Sequence, residues 1–182
     1  MPLPPPRPPK DWFSRDPATV AFSDALRLKI TLLGTEPPIW RCLQFPIGFT
    51  LRRVHTVIQA VMGWKDRHRH RFQVGERVYG ITDADAEELK DSRWITLQDL
   101  LAQGVQDFTY QYDLPGPSVY QLRIESVTRG DATNQHPVCL DGEGASPSEE
   151  GGILFGNGGG HVRARRSAFN PQAANARLAT LR

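Results

Sequence analysis

Three histidines carry the chemistry available to this chain: His55, and the closely spaced pair in His68-Arg69-His70-Arg71-Phe72. Alternate positions of an extended strand share a face, so His68 and His70 are expected on one side with Phe72 and Val74, and Arg67, Arg69, Arg71 and Gln73 on the other. His55 falls within Thr50–Trp64, where Leu51, Val54, Val57, Ile58, Val61 and Met62 repeat with helical period, and it lies at the rim of that apolar stripe. Together with Asp113 the three imidazoles form a ligand set for zinc or another borderline divalent ion. A water bound to such an ion would be the nucleophile of a metal-dependent hydrolase or nuclease. No compact motif such as His-Glu-x-x-His fixes the spacing, so the same residues also read as a polar patch that closes a helix edge in the core.

The elements that must position these groups have local signals. Leu26, Leu28, Ile30 and Leu32 alternate with Arg27, Lys29 and Thr31, the pattern of a strand with one face buried. Gly34 ends it, Pro37-Pro38 fixes an extended turn, and Ile39–Phe45 reads as an antiparallel second strand. Thr50 is a natural cap for the histidine-bearing helix, which Gly63 can terminate. Gly75-Glu76-Arg77 reads as a hairpin turn into Val78–Ile81, and Asp83–Asp91 as a loop or short exposed helix. Thr96 caps a second helix that carries Leu97, Leu100 and Leu101 and stops at Gly104. Alternating Phe108, Tyr110, Tyr112 and then Tyr120, Leu122, Ile124 supply two more strands. The resulting order is ββαββαββ: an α+β fold with a mainly antiparallel sheet and two helices packed on one face. Trp40 and Trp64 are expected to pack at element ends, and Arg41 to anchor Asp113 or another carboxylate.

At 182 residues and 39% hydrophobic content the chain can form a single core, while 16 Gly and 15 Pro imply long loops and tails. Residues 1–20 read as a disordered Pro-rich tail, 21–152 as the α+β domain, and 153–182 as a Gly-rich linker with a basic C-terminal segment. Gly156–Gly160 lacks a preceding apolar strand and a Gly-Lys-Ser/Thr, so it reads as linker rather than phosphate cradle. No Gly-x-Ser-x-Gly nucleophile motif occurs. Cys42 and Cys139 stand alone, which argues against a disulfide framework or a cysteine zinc site. No apolar run is long enough to span a bilayer, and a soluble cytoplasmic protein is the expectation. The net charge of +2 is small but unevenly spread. Bases dominate 51–80, acids dominate 81–160, and 161–182 has arginines and no acid. Arg52, Arg53, Arg67, Arg69, Arg71, Arg163, Arg165 and Arg166 are accordingly the candidate nucleic-acid contacts; a protein partner is the other option.

Pro37-Pro38-Ile39-Trp40-Arg41, the Leu51…His55…Ile58-Gln59…Met62-Gly63-Trp64 helix and His68-x-His70-x-Phe72 together resemble the Ri-plasmid open-reading-frame-three-like family. Its members are mostly uncharacterised, and some are labelled transposon-passenger proteins. The resemblance covers about residues 25–152 and the last dozen or so, where Phe169-Asn170-Pro171 matches the family's ending. The family's next motif, Tyr-x-Tyr-Asp-Phe-Gly-Asp-x-Trp-x-His, is matched at Tyr110, Tyr112 and Asp113. Its Gly, second Asp, Trp and His fall on Pro115, Gly116, Ser118 and Tyr120. If the family acts through that aspartate and histidine, the resemblance implies an impaired member. The leading expectation is therefore a non-catalytic binding or adaptor module linked to plasmids or mobile elements. A metal-dependent hydrolase or nuclease and a nucleic-acid-binding protein are the alternatives.

Overall fold

The computed structural model describes residues 24–81, 89–112, 118–129, 135–150, 162–163 and 168–181. The expected tail at 1–20, the Gly156–Gly160 segment and Asp113 lie outside the described residues. The framework is an eight-stranded sheet built from β1 (Ala25–Leu32), β3 (Trp40–Pro46), β4 (His70–Val74), β5 (Arg77–Gly80), β6 (Leu89–Asp91), β7 (Asp107–Tyr112), β8 (Ser118–Thr128) and β9 (Val138–Glu143). Its order is β6-β5-β4-β7-β8-β1-β3-β9, antiparallel except for the edge pair β5/β6. A two-stranded parallel sheet joins β2 (Thr35–Glu36) to β10 (Val162–Arg163).

The α+β class with a mainly antiparallel sheet holds, but the element order is richer than ββαββαββ. Short β2, β6 and β10, together with β9, were not expected, and a third helix, α3 (Pro171–Leu178), joins α1 (Leu51–Met62) and α2 (Leu97–Ala102). Two- and three-residue strands bury too little to leave a period in the sequence, which is why periodicity passes over β2, β6 and β10.

Cross-strand register sorts the sheet into two faces. Leu28 sits between Leu43 and Ile124, Leu32 beside Tyr120, Tyr120 beside Tyr110, and Tyr110 beside Phe72, all buried. The other face is polar: Lys29 lies beside Arg123, Arg123 beside Asp107, Gln121 beside Thr109, and Gln111 beside Arg71. Side chains bond along that face, with Arg123 on Asp107 at 2.7 Å and Arg71 on Gln111 at 2.7 and 2.9 Å. Only the apolar face needs a cover, and one core cluster combines its side chains with those of α1, α2 and α3.

Each helix is closed by local chemistry. The Thr50 side chain accepts from the Arg53 amide, and Gly63 ends α1 in the left-handed region at φ 76. Thr96 and Asp99 form a capping box on α2. Asn170 caps α3, and Pro171 opens its first turn. Helix α3 in turn serves its neighbours: Arg177 donates to the carbonyls of Ala60 and Val61 at the C-terminal end of α1, and Asn175 bonds both backbone groups of Cys139 on edge strand β9.

Asp113, the expected partner of Arg41, lies outside the described residues; among those described, the fully buried Arg41 side chain donates to the carbonyls of Trp40, Glu143 and Gly144 at 2.7, 2.7 and 2.8 Å, and to Ser146 Oγ. The guanidinium also lies 3.8 Å from the centre of the Phe169 ring. Burial pulls its pKa down to about 10, so it stays charged at neutral pH. Gly142 makes room for this stack, since a Cβ there would meet the Phe169 ring at 2.7 Å and Arg41 Cδ at 2.9 Å. Trp64 is buried as expected, with its ring stacked on Tyr112, while Trp40 is half-buried beneath the Lys29 ammonium.

Replacing Arg41 by Met should orphan those buried carbonyls. With hydrogen bonds to charged groups worth about 1.5–3 kcal/mol each, the expected loss in urea denaturation is at least about 3 kcal/mol. A loss below about 1 kcal/mol would show that the carbonyls find other partners.

Candidate functional site

Strand β4 and helix α1 bring two of the three histidines together. Register puts His70 beside Tyr112 on the core face, and α1 crosses that face so that the His55 ring lies parallel to the His70 ring, 3.4 Å away with an interplanar angle of 8°. Strand β4 begins at His70, so strand alternation does not reach His68. His68 is half-buried, edge-on to Tyr112, with Nε2 3.1 Å from the Glu149 carbonyl. It is the Asp66 carboxylate that joins the pair. One ligand atom each from His55, Asp66 and His70 lie within 4.8 Å of one another.

A closed network orients His55. Nε2 is 2.8 Å from Asp66 Oδ1, and Nδ1 is 2.9 Å from the Tyr110 hydroxyl. Gln59 donates to the same hydroxyl at 3.3 Å, and its Oε1 accepts the Asp66 amide at 2.9 Å. In the tautomer this network favours, Nε2–H donates to Asp66 and Tyr110 O–H donates to Nδ1. His70 differs: it is 8% exposed, and its buried Nε2 has no hydrogen-bond partner among the described residues.

Burial depresses both imidazoles. His55 falls to about 4, its desolvation outweighing the pull of Asp66, so the His55–Asp66 contact is a neutral hydrogen bond at pH 7 rather than an ion pair. His70 falls to about 3 through desolvation and the neighbouring His55. Both rings therefore keep an unprotonated nitrogen at neutral pH.

Asp66 owes its position to a segment far along the chain. Its backbone is left-handed at φ 55, a conformation Asp tolerates better than most residues. The amides on either side of it, those of Lys65 and Arg67, both donate to the Glu149 carboxylate at 2.7 and 3.1 Å. Tyr112 O–H donates to the same carboxylate at 2.7 Å and accepts the His68 amide. Burial pushes Glu149 up, but these hydrogen bonds outweigh it and hold the carboxyl below its usual range. Burial and the bond to Glu149 raise Tyr112 to about 12. Trp64 Nε1 donating to the Pro147 carbonyl at 2.8 Å secures the same strap of residues 144–150.

A pocket of about 370 Å³ is lined by Asp66, Arg67, His68, Arg69, His70, Ile81 and Leu89. A larger groove of about 450 Å³ runs between α1, α3 and the start of β9. Arg53, His136 and Asn175 line it beside mostly apolar groups, without a cluster of ligating side chains. The pocket over the histidines is the better candidate because convergent, partner-lacking polar groups mark a site more than volume does.

The arginines singled out in the sequence do not share one surface role. Arg52 reaches Asp66 at 3.5 Å, Arg53 stacks on Phe49, Arg67 pairs with Glu150 at 2.9 Å, and Arg71 belongs to the outer sheet face. Arg69 lines the pocket. Arg163 contributes backbone to β10; its side chain, Arg165 and Arg166 lie outside the described residues. Sequence reading missed Asp66, Glu149, Tyr110 and Gln59. An Asp between a helix-ending Gly-Trp and His-x-His was the one available signal.

Fold and site together define an α+β protein with a half-open sheet and a buried histidine pair under its first helix. The chain belongs to the plasmid pRiA4b ORF-3-like protein family, whose profile matches residues 24–159. It is 30% identical over 136 residues to the uncharacterized protein y4hQ of Sinorhizobium fredii, a match that covers 74% of this chain and 70% of that protein. It also resembles the crystal structure of MM3350, a protein of unknown function from Methanosarcina mazei Go1, with a TM-score of 0.62 and 27% identity over 69% of this chain and 72% of the other. Among the described residues no helix is long and apolar enough to cross a membrane.

The depressed histidines make stability depend on pH. Unfolded imidazoles take up protons below about 6.5, whereas the folded ones resist until about 4 and about 3. The unfolded state therefore binds more protons in between, and stability should fall as pH drops through that window, by up to about 1.4 kcal/mol per pH unit per histidine. Urea denaturation from pH 7 to pH 5 should show the decline, and His70→Leu should remove about half of it. An unchanged slope in that variant would mean His70 titrates normally.

Proposed function

We propose that this chain is a metal-dependent binding module whose centre is a divalent cation held by His55, His70 and Asp66. The observations that carry the reading are the buried His70 Nε2, which has no hydrogen-bond partner among the described residues, and one ligand atom each from His55, Asp66 and His70 lying within 4.8 Å of one another. Ligands at about 2.0–2.2 Å from an ion are about 3–3.5 Å from one another, and because an ion lies in the plane of each imidazole that binds it, the two parallel rings would have to turn out of their stack to share one. Two neutral nitrogens and one carboxylate oxygen suit zinc and other borderline divalent ions. Three protein ligands leave coordination positions open toward the pocket, and an ion there would supply Lewis acidity at its floor.

Outer supports are already in place. Tyr110 backs His55 Nδ1, Gln59 holds the Asp66 amide, and Glu149 grips the amides on both sides of Asp66. Such partners orient ligands and tune their affinity. With an ion in place of the Nε2 proton, His55 would carry its hydrogen on Nδ1 and donate it to the Tyr110 oxygen.

Binding rather than turnover is the reading favoured by the rewritten motif. Where the resemblance implies Trp and His, this chain has Ser118 and Tyr120, both buried with hydroxyls that lack hydrogen-bond partners among the described residues. Burial raises Tyr120 far above the usual tyrosine range, which removes it as a proton-transfer group at neutral pH. A metal-assisted hydrolase acting at the same centre is the second reading, supported by the open coordination positions. For the nucleic-acid alternative, the arginine contacts described above supply no specific support. The link to plasmids rests on the family description alone.

The purified chain should take up one zinc or cobalt ion, measured by elemental analysis after desalting. His70→Ala or Asp66→Asn should weaken uptake by more than about 100-fold, beyond the 10–100-fold typical of an outer-shell partner. Glu149→Gln should weaken it by about 10-fold. Failure of the wild-type chain to bind either ion, or unaltered uptake by His70→Ala, would overturn the proposal. Multiple turnovers on an aryl phosphoester would move the assignment to the hydrolase.

A further inference from the structure

We propose that Arg177, on a helix far along the chain from the cation site, is a positioning residue for that site, so that docking of α3 and binding of the cation reinforce each other. This rests on the metal reading given above and adds the element that regulates it. The link runs through the last turn of α1. Arg177 Nε donates to the Ala60 carbonyl at 2.6 Å, and Nη2 to the Val61 carbonyl at 3.0 Å. The same Ala60 carbonyl accepts the Gly63 amide at 3.2 Å, and the Gln59 carbonyl accepts the Trp64 amide at 2.9 Å. That reversal leads directly into Asp66. The Gln59 side chain leaves the same turn and holds the Asp66 amide at 2.9 Å and the Tyr110 hydroxyl behind His55 at 3.3 Å. One guanidinium thus grips the turn from which both the chain to Asp66 and its side-chain support depart.

Helix α1 does not supply this charge itself. The carbonyls at a helix C-terminus favour a nearby cation, yet the last turn of α1 carries no basic residue, and Arg177 fills that role from α3. Helix α3 is in turn an element with two states, docked or released. Its eight residues are too few to hold a helix in isolation, and of its side chains only Ala174 and Leu178 are buried. What docks it besides these is polar: Arg177 on α1, and Asn175 on both backbone groups of Cys139. Short, thinly buried elements of this kind open locally at low cost. A cation that orders Asp66 steadies the turn that Arg177 holds, and linkage requires each event to favour the other by the same factor.

The test uses the full chain at neutral pH, with zinc affinity measured by competition with a chromophoric chelator once circular dichroism has shown each variant to be folded. Arg177→Met should weaken zinc binding by about tenfold, as loss of a residue that supports a ligand does. Arg177→Lys should restore most of the affinity, because an ammonium can still donate to one of the two carbonyls. A second measurement needs no variant: in the wild-type chain, hydrogen exchange at the α3 amides should slow by about tenfold on saturation with zinc, the reciprocal of the same coupling. A wild-type chain that binds no zinc overturns the metal reading, and this proposal with it. Unchanged zinc affinity in folded Arg177→Met, equal weakening in Arg177→Lys, or α3 exchange indifferent to zinc in a chain that binds it overturns the positioning role alone.

Discussion

Helix α1 lies on the sheet through an apolar stripe into which two polar side chains, His55 and Gln59, are set. His55 meets His70 ring to ring at 3.4 Å inside this interface, and most of the site's chemistry follows from that burial. Two imidazoles so close and so dry cannot both carry charge, so the fold holds them neutral. Neutral rings still need hydrogen-bond partners, which Tyr110 and Asp66 provide for His55, with Gln59 holding both of those in turn. The remainder is the buried Nε2 of His70, without a hydrogen-bond partner among the described residues, on a residue that also lines a pocket.

The carboxylate of that site depends on a chain of contacts spread across the sequence. Arg41, buried beside Phe169, holds the carbonyls at the end of β9 and the start of the strap. From there the strap runs to Pro147, pinned by Trp64, and delivers Glu149 to the amides flanking Asp66. A cation deep in one part of the molecule is thus linked to a turn in another through the strap and its Glu149 carboxylate. Such contacts are directional, and each leaves a buried polar group unpaired if its partner is lost.

The family match spans the sheet, the histidines and the strap, and stops at residue 159, before α3. Helix α3 is nevertheless bound into the same core through Ala174 and Leu178 and ties down the end of α1. Ser118 and Tyr120 are buried in the sheet beside Tyr112 and Tyr110, next to the histidine site.

What the amino-acid order settled by itself was everything governed by neighbours within a turn or a strand. Thr50 and Gly63 bounded α1, Thr96 and Asp99 opened α2, and the alternation in β1, β7 and β8 announced which face was buried. His55 and His70 were recognisable as a candidate pair because their helix and strand were. Tertiary structure alone decided that Asp66 joins that pair, that His68 turns away to the strap, and that Arg41 binds the carbonyls of Glu143 and Gly144. Those outcomes rest on a left-handed turn and on partners some eighty to one hundred residues distant, such as Glu149 and Gly144. Periodicity and capping report local backbone preference, whereas the identity of a distant partner is set only when packing brings two segments together.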